Sequence, residues 1–201
     1  VVKGVDKDVL DPNTLNTLIQ KSVENSNLAY NRFIDKGYRD LYPLLAKATE
    51  QTVNGKIIPK PGYGIDLSWN GVRKNYVFNS RTRQSEDAIS LKALLSTERR
   101  RLGRIKQTGA KEEALNLIND LDTMPNQATF GEVLQEYRTL SQALGSGGKS
   151  AEYTQVGRAI QKLLKAELDR MPLPQGLRAE YNKLSNLTKM GAPMFNAGIF
   201  K

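Results

Sequence analysis

The stretch from Ala143 to Ser150, "ALGSGGKS", fits the loose phosphate-loop pattern: Ala or Gly, four residues, Gly-Lys, then Ser or Thr. In a working loop of this kind, backbone N–H groups cradle phosphate and the lysine neutralises it. That chemistry needs a buried strand before the loop and a helix after it. Here the preceding stretch, "TFGEVLQEYRTLSQ", has helical spacing and its own helix-start signal, and no run of β-branched residues. No second-strand aspartate accompanies it. The stretch reads as a flexible turn between helices, with Lys149 binding an anion only incidentally at the next helix's N-terminus.

Carboxylates offer a second chemistry. A glycan-cleaving site needs a general-acid glutamate in an apolar pocket. Glu24, Glu50, Glu98, Glu136 and Glu167 all fall on helical polar faces or their borders. None adjoins a Gly- and aromatic-rich loop, and the Glu-Ser dipeptide of lytic transglycosylases is absent. The chain has no Cys and no His. That removes thiol nucleophiles, Ser-His-Asp catalysis, disulfides and His-based metal sites. The expectation is a chain that is not an enzyme, with no cofactor, no metal and no small-molecule substrate. Asn186-Leu-Thr matches a glycosylation acceptor, but nothing else in the chain argues for secretion.

The third chemistry is anion binding. "STERRRLGRIK" places Arg99, Arg100, Arg101, Arg104 and Lys106 within eight positions. From Arg73 to Lys106 there are ten Lys/Arg against three acids (Glu86, Asp87, Glu98), so this segment carries +7 of the chain's net +9. At 100° per residue, Leu91, Leu94, Leu95, Leu102 and Ile105 share an arc of about 100°. The basic residues fill the remainder. A solvated helix face is the plain alternative, although such faces usually mix signs to gain i,i+4 pairs. The candidate anion-binding residues are Arg99, Arg100, Arg101, Arg104 and Lys106, with Arg73 and Lys74 upstream. Phosphate backbone, anionic lipid or an acidic subunit surface would each suit them. No helix-turn-helix, zinc-finger or RRM pattern accompanies the charge, so DNA contact would be to phosphates and without sequence preference. Trp69, Tyr76 and Phe78 are the nearest aromatics and read as a buried hairpin face.

The elements that must hold these residues are mostly helices. Hydrophobic spacing and caps predict helices at about 13–36, 40–54, 86–107, 110–121, 129–144, 151–171 and 175–188. Gly37 separates the first two, Pro43 falls in the first turn of the second, and Asn54-Gly55 stops it. Ser85 is read as the cap of the third, and Thr129 with Glu132 forms a capping box. Asn70-Gly71, between two strand-like runs, predicts a β-hairpin over 65–78. The helices at 129–144 and 151–171 should pair as an antiparallel hairpin. The fold class is mainly α: elongated helical hairpins or a bundle with one small β-hairpin insertion. The expected organisation is 1–84, a helical pair plus the β-hairpin region, and 85–201, a helical-hairpin region.

With 39% hydrophobic and 7% aromatic residues over 201 positions, the chain is lean for a single compact core. That composition suits helices burying stripes. No apolar run approaches the ~20 residues of a membrane span. The chain opens on Val1-Val2 and closes on the apolar "GAPMFNAGIF", which reads as a piece of a longer polypeptide.

The stretch "TFGEVLQEYRTLSQAL…EYTQVGRAIQKLLKAELDRMP" resembles a helical-hairpin module of large bacteriophage virion proteins, such as the internal (ejection) proteins of short-tailed phages. The resemblance rests on Thr129-Phe130 opening a helix, Tyr137-Arg138 followed by Leu140, a short loop of small residues, and an Ala/Ile/Leu helix from Arg158 to Met171. It covers about 45 of the 201 residues. It implies a structural, non-enzymatic virion component, a homo-oligomer within a larger assembly of the kind that forms tubes through which DNA crosses the host envelope. The implied locations are the virion and then the host periplasm or envelope, near membrane or peptidoglycan. Such an assembly would turn the basic helix toward DNA or membrane. The alternatives are a bacterial helical adaptor, or an NTPase or glycan-cleaving domain.

Overall fold

A computed structural model describes residues 12–106 and 108–196. The described chain is predominantly helical, with three small antiparallel strand pairs. It divides into two units, 44–174 and a second that joins 1–43 to 175–201.

In the second unit, α1 (Pro12–Thr49) contributes its first part and α6 (Gln175–Asn196) the rest. The two helices expected at 13–36 and 40–54 are one. Gly37 does not break it, because the missing side chain makes room for a neighbour. A Cβ there would stand 2.5 Å from Cδ2 of Leu184 on α6. Tyr30 donates its hydroxyl proton to the carbonyl of Leu187. Ile34, Tyr38, Leu41, Tyr181 and Leu184 are buried. Pro43 lies inside α1, exposed, and removes one backbone donor.

The unit 44–174 begins with the end of α1 and turns at once into strand. β1 (Glu50–Val53) pairs with β2 (Lys56–Pro59), Val53 facing Lys56. Asn54 and Gly55 have φ of 51° and 76°, so the dipeptide expected to stop a helix is a two-residue hairpin turn. The β-branched pairs flanking it, Thr52-Val53 and Ile57-Ile58, favour strand over the last helical turn.

The hairpin expected over 65–78 does not form. β3 (Ile65–Asp66) pairs with β6 (Gln127–Ala128), and Leu67 donates to the carbonyl of Asn126 at 2.7 Å. Asp66 Oδ1 accepts from Ser68 N (2.8 Å) and Ser68 Oγ (3.0 Å), which turns the chain out of the strand. Gly71 has φ of 86°, but Asn70 is not at positive φ, so the type I′ geometry is absent. β4 (Arg73–Asn79) instead pairs with β5 (Gln84–Ala88) across 80–83, with a bulge near Asn75, φ 49°. Asn79 Oδ1 accepts from Arg81 N (3.1 Å) to shape that turn.

Because 84–88 is strand, the third predicted helix starts late. α2 spans Leu91–Gly103, capped by Ser90 (Ala93 N to Oγ, 3.3 Å), while Ser85 pairs with Phe78. α3 (Gly109–Asp122), α4 (Phe130–Gly145) and α5 (Ala151–Arg170) follow. The Thr129–Glu132 capping box is complete, with bonds of 3.1 and 2.7 Å. Glu50 Oε1 accepts from Gly131 N (3.2 Å), adding a carboxylate at the same helix start.

α5 is the centre of the unit, touching α2, α3, α4 and β4. Its buried Val156, Ile160, Leu163, Leu164 and Leu168 meet Leu91, Leu95 and Leu102 of α2, Ala114 and Ile118 of α3, and Phe130, Val133 and Leu134 of α4 in one apolar core. Each such leucine contributes ~1.5–3 kcal/mol by leaving water. α4 and α5 fold back on each other: Gln161 Nε2 donates to Ser141 Oγ (2.9 Å), and Gly157 lets Leu140 and Leu144 close in.

Candidate functional site

Glu167 is the one carboxylate among the described residues that is buried, 7% exposed. It sits in the apolar stripe of α5, seven residues after Ile160 and four before Met171. A charge there must be fully paired, since an uncompensated buried ion costs several kcal/mol. Trp69 Nε1 donates to Oε1 at 3.1 Å, and the Tyr76 hydroxyl donates to Oε2 at 2.7 Å. Arg73 Nη1 donates to the Tyr76 oxygen at 2.8 Å and stands 3.7 Å from Glu167 Oε1. Guanidinium, phenol and carboxylate thus form a chain in which each bond polarises the next.

The rings complete the cluster. The Arg73 guanidinium lies 4.1 Å from the Trp69 ring centroid and 5.0 Å from that of Tyr76. Arg170, three residues beyond Glu167 on α5, lies 3.8 Å from the Tyr76 centroid. Trp69 and Tyr76 tilt at 59° with centroids 5.8 Å apart. Burial, then the hydrogen bond to Glu167 and its charge, push the Tyr76 hydroxyl up to about 12, so it stays a neutral donor. An open cleft of about 400 Å³ runs beside the cluster, bounded by Gly62, Gly64, Ile65, Asp66, Met171 and Pro172 with Arg73, Tyr76, Glu167 and Arg170.

The basic run is divided. Arg99 donates to Asn119 Oδ1 (3.1 Å) and Asp122 Oδ2 (3.2 Å). Arg101 Nε donates to Glu98 Oε2 at 2.7 Å, and its Nη2 is buried with no hydrogen-bond partner among the described residues. Lys92 holds the end of α3 through the carbonyls of Asp122 (2.6 Å) and Met124 (2.7 Å). Arg100, Arg104 and Lys106 are exposed and have no acidic partner among the described residues. Arg100 spends only one bond, on its own helix at Ser96 O (3.4 Å). Arg81 and Arg83, at the β4–β5 turn, are exposed and acid-free in the same sense. Of the two upstream candidates, Arg73 belongs to the Glu167 cluster. Lys74 pairs with Asp87 at 2.7 Å, a bond that holds the Asp87 carboxyl below its usual range.

In the phosphate-loop-like stretch, the element before the loop is α4, a helix. The anion at the start of α5 is the chain's own Glu113. Its carboxylate takes Lys149 Nζ (2.9 Å) and Ser150 N (3.1 Å). Lys149 also lies 4.8 Å from the Tyr153 ring. No described helix is long and apolar enough to cross a membrane, and no three acidic side chains gather as a metal site among the described residues.

Glu167 corrects the expectation that it lies on a polar face or its border, and Phe78 corrects the reading of a buried aromatic trio. Trp69 and Tyr76 are buried; Phe78 is 63% exposed. The signal for Glu167 was its place on the stripe of Ile160, Leu163, Leu164 and Met171: a carboxylate on an apolar face has to find donors. Nothing local named those donors, which lie 98 and 91 residues away. Compared with protein-family models, curated proteins and solved structures, the chain matches none.

Proposed function

We propose that this chain is a structural, non-enzymatic module that contacts nucleic-acid backbone through exposed cations, as part of an oligomeric virion assembly for DNA ejection. The observation that carries the polyanion contact is the division of the 73–106 segment. Five of its ten cations are held by acids, carbonyls or the Glu167 cluster. The other five (Arg81, Arg83, Arg100, Arg104 and Lys106) are exposed without an acid among the described residues. Unpaired surface cations repel one another and are relieved by phosphates, which release their counterions on contact. The phage setting, and the elongation of the helical hairpins into a larger bundle, rest on the resemblance across 129–171. The pairing of α4 with α5 across a short turn is in keeping with it.

The test is duplex binding against salt. Wild-type affinity should fall with a log–log slope of ~0.9 per phosphate neutralised. Arg100→Gln with Arg104→Gln should lower that slope by up to about 2, with unchanged circular dichroism. Equal slopes would return the arginines to a solvated face or to the helix C-terminus, where cations stabilise the dipole by ~0.3–1 kcal/mol. Mass photometry of the chain in the same buffers should show oligomers; a strict monomer at micromolar concentration sinks the assembly.

A further inference from the structure

The cleft beside Glu167 sets two arginines, Arg73 and Arg170, beside two carboxylates, Glu167 and Asp66, yet leaves most of the guanidinium donors unspent. Glu167 has both oxygens occupied, by Trp69 and Tyr76. Arg73 has one donor on the Tyr76 oxygen, and its nearest carboxylate oxygen, at 3.7 Å, lies outside hydrogen-bond reach. Its side chain is 39% exposed. Arg170 donates only to the backbone carbonyl of Ala166, at 3.3 Å, and has no carboxylate within ion-pair distance among the described residues. A guanidinium has five donors, so most of those on both arginines are unspent. The two lie over one tyrosine ring, at 5.0 and 3.8 Å from its centroid. Both also line the same cleft.

From this geometry we infer that the cleft binds a small oxyanion carrying an apolar group, a carboxylate or a phosphate monoester, forked between Arg73 and Arg170. Guanidinium donors match either oxyanion in bidentate geometry. The volume of about 400 Å³ suits one small molecule. Ile65, Met171 and Pro172 give the cleft apolar wall, which sets the preference for an apolar substituent. Gly62, at φ 83°, has open space where a side chain would stand. At Gly64 a Cβ would come 2.9 Å from Gln127 Oε1, so that side chain would have to shift. Asp66 also lines the cleft. It spends Oδ1 on Ser68, and its charge with that of Glu167 offsets the two arginines, so a bound oxyanion is held by the unspent guanidinium donors rather than by a net positive field.

Trp69 is the chain's single tryptophan, so its emission reports this site alone. The full chain is titrated with isovalerate, acetate and inorganic phosphate at constant ionic strength. The expected result is a saturable emission change with isovalerate or phosphate, and weaker binding of acetate than of isovalerate. Arg170→Gln should weaken binding at least tenfold, with Arg170→Lys between it and wild type. Circular dichroism should be unchanged in these variants, since Arg170 is exposed at the end of α5. Arg100→Gln with Arg104→Gln should bind the small anions as wild type does, whatever it does to DNA. Tighter phosphate binding assigns the phosphate class, tighter isovalerate binding the carboxylate class. No saturable change with any probe, or equal affinity in Arg170→Gln, overturns the site.

Discussion

Glu167 is held by groups from three directions, so its loss is felt by all of them. Replacing it with alanine leaves the Trp69 N–H and the Tyr76 O–H without their acceptor and Arg73 without its nearest counter-charge. Each unsatisfied buried donor costs ~1–3 kcal/mol, so Glu167→Ala should lower stability by about 3–5 kcal/mol, the range for breaking a buried pair. Trp69→Phe, which removes one donor and keeps the ring packing, should cost about 1–3 kcal/mol. Urea midpoints at unchanged slope measure both; an alanine variant within 1 kcal/mol of wild type would mean that water reaches the carboxylate. Tyr76 supplies a pH prediction. Its hydroxyl is pushed up to about 12, chiefly by burial and then by Glu167, from an unfolded value of 10.0. Between those values the unfolded chain has lost the proton and the folded chain keeps it. The contribution to stability is therefore full below pH 10 and is lost as pH rises through about 12. Tyr76→Phe, which cannot ionise, should show a shallower fall over that window in denaturation at fixed pH steps.

At the scale of elements, α1 carries a defect it does not need for packing. Pro43 is exposed within the helix, so its ring adds little burial while it removes the donor to the carbonyl one turn back. Pro43→Ala restores that bond and a favourable propensity, against ~0.4–1 kcal/mol of unfolded-state rigidity given up. Stability should rise by about 1–2 kcal/mol, read as a higher urea midpoint. A fall would show that the proline sets a bend on which neighbouring packing depends. The same helix shows where local signals compete. Asn-Gly serves equally as a helix stop and as a type I′ turn, and the β-branched residues on both sides of 54–55 decide for strand. At 70–71 the same dipeptide does not close a hairpin, because 65–67 is already bonded to 126–128.

For the whole molecule, the distribution of charge matters more than its total. The 73–106 segment holds most of the net positive charge, yet half of its cations serve the fold. Arg99→Gln with Arg101→Gln should therefore reduce the DNA salt slope less than Arg100→Gln with Arg104→Gln, and should cost more stability. The helices from 109 onward are legible in the chain alone, since their caps and stripes are local: Thr129 with Glu132, Ser150, and leucines at 3.6-residue spacing. The sequence by itself also determined that the polar arc of α2 is basic, and the amphipathic pattern placed Leu91, Leu95 and Leu102 in the core. Tertiary structure decided the strand pairings, because the partners of 65–67 lie some sixty residues downstream and no local pattern encodes that choice. It decided which arginines are spent, because Asp122 reaches Arg99 only when α3 packs beside α2. It also decided the Glu167 cluster, because a buried charge is tolerated only where distant donors converge on it, and those donors arrive with β4 and the loop before it once α5 is in the core.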